Sequence, residues 1–155
     1  MRIGFGFDAH QLVENATFTL GGIVIPHHKG AIGHSDADTL IHAICDALLG
    51  AANLGDIGLH FPDSDTTLKG IDSKIILQKV TELITQRGYR IVNIDTTVCL
   101  QQPKIRSYIP QMQETLARTM AIPVNDISIK ATTTEKMGYT GRGEGVSAYA
   151  AALVV

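Results

Sequence analysis

The stretch MRIGFGFDAH closes on an acid and an imidazole two positions apart, Asp8 and His10. In an extended chain side chains alternate between faces, so Ile3, Phe5, Phe7 and Ala9 share one face while Gly4, Gly6, Asp8 and His10 share the other. The two polar groups therefore point the same way. A carboxylate and a neutral imidazole converging at a strand end are ligands of the type that zinc takes, and a catalytic zinc site uses three. A third candidate lies in GHSDADTLIHAICDALLGAANLGDIG, where Asp38, His42 and Asp46 recur every fourth residue and fall within about 80° on one side of a helix. His42 sits amid Leu40, Ile41, Ala43 and Ile44, surroundings that also suit a hydrogen-bonded core histidine. No local signature such as HExxH joins the three residues, so spacing leaves both readings open.

Chemistry of another kind gathers near the C-terminus. KATTTEKMGYTGRGEG places Thr132, Thr133 and Thr134 at a strand end, then Glu135 and Lys136, then Gly138, Gly141, Gly143 and Gly145 around Arg142. Hydroxyls, backbone N–H groups freed by glycine and an arginine fork are what an oxygen-rich anion requires, and Glu135 adds a hard oxygen suited to Mg²⁺ or Mn²⁺. The same segment also reads as a turn whose threonines fit a strand and whose glycines solve backbone geometry; it is neither a Walker A loop nor a GxGxxG. GDIGLHFPDSD offers Asp56, Asp63 and Asp65, and a carboxylate such as Asp56 either accepts both hydroxyls of a ribose or caps a polar turn. LQQPKIRSYIP sets Lys104 and Arg106 beside backbone groups of Leu100 to Pro103 that can read a base edge, or leaves them a solvated charge pair. His34 and Ser35 precede the helix that carries His42, where a phosphate is favoured; capping accounts for Ser35 but not for His34.

These residues need a scaffold. After the first strand, ATFTLGGIVIP reads as two short extended pieces around Gly21 and Gly22, and His27, His28 and Lys29 as a solvated loop. Ser35 is expected to cap the first helix, with Asp38 at a capping-box spacing. Asp72 or Ser73 caps a second, whose apolar face is Ile75, Ile76, Val80, Leu83 and Ile84 and whose stop is Gly88; IPQMQETLARTMA is a third, with Pro110 in its first turn. YRIVNIDTTVCLQ, DISIKATTT and GVSAYAAALVV read as strands. The expected fold is α/β (α+β), a mixed β-sheet with about three helices packed on one face, and the length of 155 residues makes residues 1–155 a single domain. Thirteen Lys and Arg against fifteen Asp and Glu, with no basic run, argue against a nucleic-acid surface. No apolar run approaches a membrane span and the N-terminus enters directly into a strand, so the reading is a soluble cytoplasmic protein with no membrane partner. Cys45 and Cys99 form no CxxC pair and read as buried reduced thiols.

Taken together, IGFGFDAH, GHSDADTLIHAICDALLGAANLGDIGLHFPDSD, LQQPKI, IPQM and IKATTTEKMGYTGRGEG resemble the 2-C-methyl-D-erythritol 2,4-cyclodiphosphate synthase family of non-mevalonate isoprenoid biosynthesis, over essentially the whole chain and in order. The resemblance implies a homotrimer with active sites between neighbouring subunits. It also implies a reaction, in which a cytidine diphosphate-linked substrate, 4-diphosphocytidyl-2-C-methyl-D-erythritol 2-phosphate, becomes a cyclic diphosphate with loss of CMP. Residue by residue, Asp8, His10 and His42 match Zn²⁺ ligands and Glu135 the ligand of a second cation, Mg²⁺ or Mn²⁺. His34 and Thr133 match groups that steady the transition state, with Ser35 and Thr132 beside them. Asp56 and Gly58 match ribose contacts and Asp63 the erythritol side. Leu100, Gln101, Gln102, Pro103, Lys104, Ile105 and Arg106, with Ala131, Thr132 and Thr133, match the cytidine and phosphate pocket. Ile57, Phe61, Asp65, Thr134, Tyr139 and Arg142 join the substrate contacts. Phe7 and Glu144, with Tyr139 and Arg142, match a cavity on the trimer axis that in relatives takes an isoprenoid diphosphate. Two positions depart from the family pattern: Phe5 stands where some relatives have histidine, and Tyr139 where phenylalanine is usual. A metal-dependent phosphohydrolase that admits water and a non-catalytic trimeric nucleotide-binding module are the rival readings.

Overall fold

Residues Arg2–Glu14 form the long strand β1, and its two faces are used in the opposite sense to their hydrophobicity. In the computed structural model, which describes residues 1–62 and 64–155, Ile3, Phe5 and Phe7 are 75, 68 and 46% exposed while Gly4 and Gly6 are buried. The cause is helix α1 (Thr39–Ala51), which lies directly on the glycine face. A Cβ on Gly4 would meet the carbonyl oxygen of Ala47 at 1.8 Å, and one on Gly6 that of Ala43 at 2.0 Å. Only a residue without a side chain permits so close an approach.

The hairpin β2 (Thr19–Leu20) and β3 (Ile23–Val24) turns through Gly21 and Gly22, whose φ values of +60° and +77° suit glycine. Strand β4 (Lys29–Ile32) follows, then α1, a single turn α2 (Ile57–His60), helix α3 (Ser73–Gln86), β5 (Ile91–Cys99), helix α4 (Ile109–Met120), β6 (Ile127–Thr132), a single turn α5 (Gly138–Gly141) and β7 (Gly145–Val154). The main sheet runs β4-β1-β7-β5-β6, antiparallel throughout except for β5 and β6, which pair in parallel across the α4 crossover. One face carries Gly6, Ala148, Ala150, Ala152, Ile94, Val98, Ile127 and Ile129, all buried beneath the helical layer of α1, α3 and α4. The small alanines of β7 extend the close approach of α1 that the glycines of β1 begin. The other face bears Phe5, Phe7 and Tyr149 on one side and the Asp95–Lys130 ion pair (2.6 Å) on the other.

This is the expected mixed sheet with three principal helices on one face. The start of α1 differs from expectation. Asp38, not Ser35, is the N-cap: its carboxylate accepts from Ile41 N at 3.0 Å. Ala37 adopts a left-handed φ of 57°, which breaks any helix beginning at Ser35, and Ser35 Oγ instead accepts from Ala37 N at 3.1 Å. The fully buried Asp38 also accepts from Gly21 N at 2.9 Å and Gly22 N at 2.6 Å, so the cap doubles as the clasp of the β2–β3 hairpin. Lys29, expected in a loop, opens β4; KGAI is too short for its own strand signal, and its pairing with residues 11–14 of β1 makes it one. Asp72 caps α3 and Gly88 follows its end, as expected. Cys45 is buried, Cys99 half-buried, and both are free thiols. Among the described residues no helix is long and apolar enough to cross a membrane.

Candidate active site

Beyond Gly4 and Gly6, the helix-facing side of β1 continues into Asp8 and His10. Because Gly6 receives Ala43, the residue before it on α1, His42, is brought against Asp8. Asp8 Oδ2 lies 3.0 Å from His10 Nε2 and 3.1 Å from His42 Nδ1, and those two nitrogens are 3.1 Å apart. The three atoms form a nearly equilateral triangle, with each side chain a quarter exposed or less. A tetrahedral zinc set with bonds of about 2.0–2.1 Å places its donors about 3.3 Å apart, so the triangle is close to that of three ligands.

Proton positions point the same way. His10 Nδ1 faces the carbonyl of Ile32 at 3.1 Å; a carbonyl only accepts, so the neutral ring carries its proton there and turns the Nε2 lone pair inward. His42 Nε2 faces two hydroxyls, Ser35 Oγ and Ser73 Oγ, each at 3.0 Å. Burial pushes the Asp8 carboxyl up, but hydrogen bonds and charge from His10 and His42 outweigh it and hold it well below the carboxylate range. Burial pulls His10 down, and the hydrogen bond and charge of Asp8 outweigh it and raise its value. Without a metal the pair thus attracts a proton, and a divalent cation competes for the same place.

A cavity of about 310 Å³ opens beside the triangle, lined by His10, His34, Ser35, His42, Ile57, Gly58 and Phe61, with Gly33, Leu68, Ile71 and Ile76. The structure therefore brings the expected ligands together with His34, Ser35 and the 57–61 turn. Leu68 and Ile71, which no motif marks, supply apolar wall together with Ile76 of α3. Asp56 Oδ1 accepts from Leu59 N at 2.9 Å and caps α2, and Asp65 Oδ1 accepts from Thr67 N at 2.9 Å. Asp46 Oδ1 accepts from Ile57 N at 2.8 Å and so ties α1 to the 57–61 turn. The expectation for Asp63 lies outside the described residues.

The other group forms a separate pocket of about 140 Å³. Leu100, Pro103, Lys104, Ile105, Arg106, Ala131, Thr132 and Thr133 line it, two cations beside two hydroxyls. Gln101 adjoins it with a buried Oε1 that has no hydrogen-bond partner, and the Gln102–Pro103 peptide is cis. Glu135, with a left-handed φ of 51°, belongs to this group: Thr133 Oγ1 donates to its Oε1 at 2.8 Å. Thr134 Oγ1 donates to Met137 O at 2.6 Å within the same turn. A third opening of about 400 Å³ is lined by Ala9, His10, Gln11, Tyr139, Glu144 and Gly145. There Arg142 is bound in a fork by Glu144 at 2.8 and 2.9 Å, and Tyr139 Oη shares a 2.5 Å hydrogen bond with Ser147 Oγ. Phe7 packs on Tyr149 of the same face, ring centroids 5.0 Å apart.

Comparison with known proteins draws these features together. The profile of the YgbB family matches residues 1–155. The 2-C-methyl-D-erythritol 2,4-cyclodiphosphate synthase of Bacteroides fragilis is 61% identical over 154 residues, covering 99% of this chain and 97% of that protein. The enzyme of the same name from Cytophaga hutchinsonii is 55% identical over 155 residues, covering 100% and 98%. Among solved structures, the CDP-bound form of a 2C-methyl-D-erythritol-2,4-cyclodiphosphate synthase superposes with a TM-score of 0.92 at 36% identity, covering 99% of this chain and 100% of that one. The bifunctional IspDF of Campylobacter jejuni superposes with a TM-score of 0.95 at 38% identity, and there the match covers 99% of this chain but 42% of the other.

Proposed function

Because the chain belongs to the YgbB family, we propose that it converts 4-diphosphocytidyl-2-C-methyl-D-erythritol 2-phosphate to 2-C-methyl-D-erythritol 2,4-cyclodiphosphate with release of CMP. The observation that carries the reading is the triangle of Asp8, His10 and His42 opening onto a cavity that also receives His34 and Ser35. Asp8, His10 and His42 would hold a Zn²⁺ ion, and Glu135 a second divalent cation, Mg²⁺ or Mn²⁺. When bound, the two cations neutralise phosphate charge and polarise the reacting phosphorus–oxygen bonds. An oxygen of the 2-phosphate attacks the β-phosphorus in line, one P–O bond forms, and the P–O bond to CMP breaks with its electron pair leaving on CMP. Nucleophile and electrophile belong to one molecule, so holding it folded supplies much of the acceleration. His34 and Thr133 hydrogen-bond the phosphoryl oxygens as charge moves, with Ser35 and Thr132 beside them. Lys104 and Arg106 balance the charge of the nucleotide phosphates, the backbone of residues 100–103 reads the cytosine, and Asp56 with Gly58 takes the ribose.

The catalytic assembly is a homotrimer in which the metal cavity of one subunit faces the 100–106 and 131–133 pocket of its neighbour. Two observations support it. The two pockets share no lining residue within one chain. The open face of β1 and β7 leaves Ile3, Phe5, Phe7 and Tyr149 uncovered, a strip that further copies of the chain would bury. The opening at Tyr139 and Glu144 then lies toward the trimer axis, where an isoprenoid diphosphate would have to displace Glu144 from Arg142. Residues 1–155 act as one catalytic domain in the cytoplasm.

Phosphorus NMR of the protein with substrate, Zn²⁺ and Mg²⁺ tests the reading. Cyclic diphosphate and CMP in equal amounts are expected. CMP with an open bisphosphate would make the protein a hydrolase, and unchanged substrate on a folded, zinc-loaded trimer would make it a binding module.

A further inference from the structure

The third member of the metal triangle is held from behind by groups that no sequence motif connects to it. We propose that Asp36 and Ser73 form a positioning relay that accepts the Nε2–H of His42 and so holds its Nδ1 toward a cation shared with Asp8 and His10. The proposal rests on the metal reading above and deepens it.

Ser73 is the first residue of α3 and is fully buried, so no water competes for its hydroxyl. Both of its protons go to one group: Ser73 N donates to Asp36 Oδ2 at 3.1 Å and Ser73 Oγ donates to Asp36 Oδ1 in a short hydrogen bond. Asp36 is itself pinned, since Oδ1 also accepts from Asp38 N at 3.2 Å and its own N donates to Ile71 O at 3.1 Å. Its position at the first turn of α3 also suits a negative charge. With the hydroxyl proton committed to Asp36, Ser73 Oγ presents only lone pairs to His42 Nε2, 3.0 Å away. A bare nitrogen lone pair there would face oxygen lone pairs inside the protein. Nδ1, on the other edge of the ring, faces Asp8 Oδ2 at 3.1 Å, so in the metal-free protein both edges offer the proton an acceptor; a cation in the triangle would displace the proton from Nδ1 and leave Nε2–H donated to Ser73 Oγ. Ser35 Oγ, also 3.0 Å from Nε2, already accepts from Ala37 N at 3.1 Å, which accommodates a shared N–H.

The two histidines are thus oriented by independent means, His10 by a backbone carbonyl and His42 by a carboxylate acting through a serine. Partners of this kind raise ligand basicity, and their loss costs about 10–100-fold in metal affinity. Asp36 and Ser73 would be positioning residues, outside contact with the substrate.

The test is zinc affinity of the full-length protein by chelator competition, with nitrogen NMR of the histidine rings in the zinc-loaded state. In the wild type His42 is expected to carry its proton on Nε2 with zinc on Nδ1. Ser73→Ala and Asp36→Asn are expected to shift the His42 Nε2 resonance and weaken zinc binding about 10–100-fold, with His10 unchanged and Ser73→Thr restoring both. Zinc on Nε2 of His42 in the wild type overturns the proposal, as does Ser73→Ala with wild-type resonance and affinity. Should either variant fail to fold, the wild-type ligation still decides. A wild type with no zinc affinity overturns the metal reading itself, an outcome distinct from a zinc-binding protein indifferent to Ser73→Ala.

Discussion

Among the described residues, Asp8 sets a single carboxylate oxygen within 3.1 Å of both imidazoles. Asp8→Ala or His42→Ala is expected to remove bound zinc and lower turnover by more than about 100-fold, since loss of an outer partner alone costs about 10–100-fold, while circular dichroism stays at wild type. A variant with normal turnover and no zinc would sink the assignment. The same contacts set a pH signature in the metal-free protein. The lowered Asp8 stabilises above its ordinary value of 3.8 and loses that contribution as pH falls; the raised His10 stabilises below its ordinary value of 6.5 and loses it as pH rises past its raised value. The pair's contribution is therefore full between 3.8 and 6.5 and smaller on either side. Denaturant midpoints of chelator-treated protein across this range should show the dome, and Asp8→Asn should flatten it.

Two junctions between elements decide whether those residues meet. The first is the contact of β1 with α1, where Gly6→Ala would drive a Cβ to 2.0 Å from Ala43 O. Relieving that clash lifts α1 off the sheet, at a cost of about 1–3 kcal/mol, and carries His42 away from Asp8. Stability by denaturation and zinc affinity by chelator competition are expected to fall together; a Gly6→Ala protein that keeps both would show that the approach is not needed. The second is Asp38, which joins α1 to the hairpin. Burial pushes its carboxyl up, against the three N–H groups that hold it. Asp38→Ala removes the cap and strands the N–H groups of Gly21 and Gly22, and about 2–4 kcal/mol of destabilisation is expected from the lost cap and the unpaired donors, read as a shift in denaturation midpoint.

For the molecule as a whole, the open sheet face is the feature that one chain does not explain. Ile3 and Phe5 are 75 and 68% exposed on a strand whose other face buries Gly4 and Gly6 beneath α1. Ile3→Asp with Phe5→Asp is expected to yield a folded monomer by analytical ultracentrifugation, still binding zinc at the triangle but unable to turn over substrate, because the proposed active site borrows its cytidine pocket from a neighbour. A trimer that survives the double substitution would put the interface elsewhere. The chain by itself determined a good deal: the period-two alternation sets Asp8 and His10 on one face, helical periodicity with a cap and a stop marks α3, and Pro110 marks the first turn of α4. The chemical inventory of Thr132 to Glu135 is local as well. Only the tertiary structure decided that the polar face of β1 is the inner one, since that follows from two glycines letting a distant helix settle on them. It moved the start of α1 from Ser35 to Asp38, because a left-handed Ala37 and a hairpin seventeen residues upstream compete with the local capping pattern. It also brought His42 Nδ1 to 3.1 Å from Asp8 Oδ2, because the close approach of α1 to the glycines of β1 sets that distance, and a contact between residues 34 apart has no sequence period to betray it.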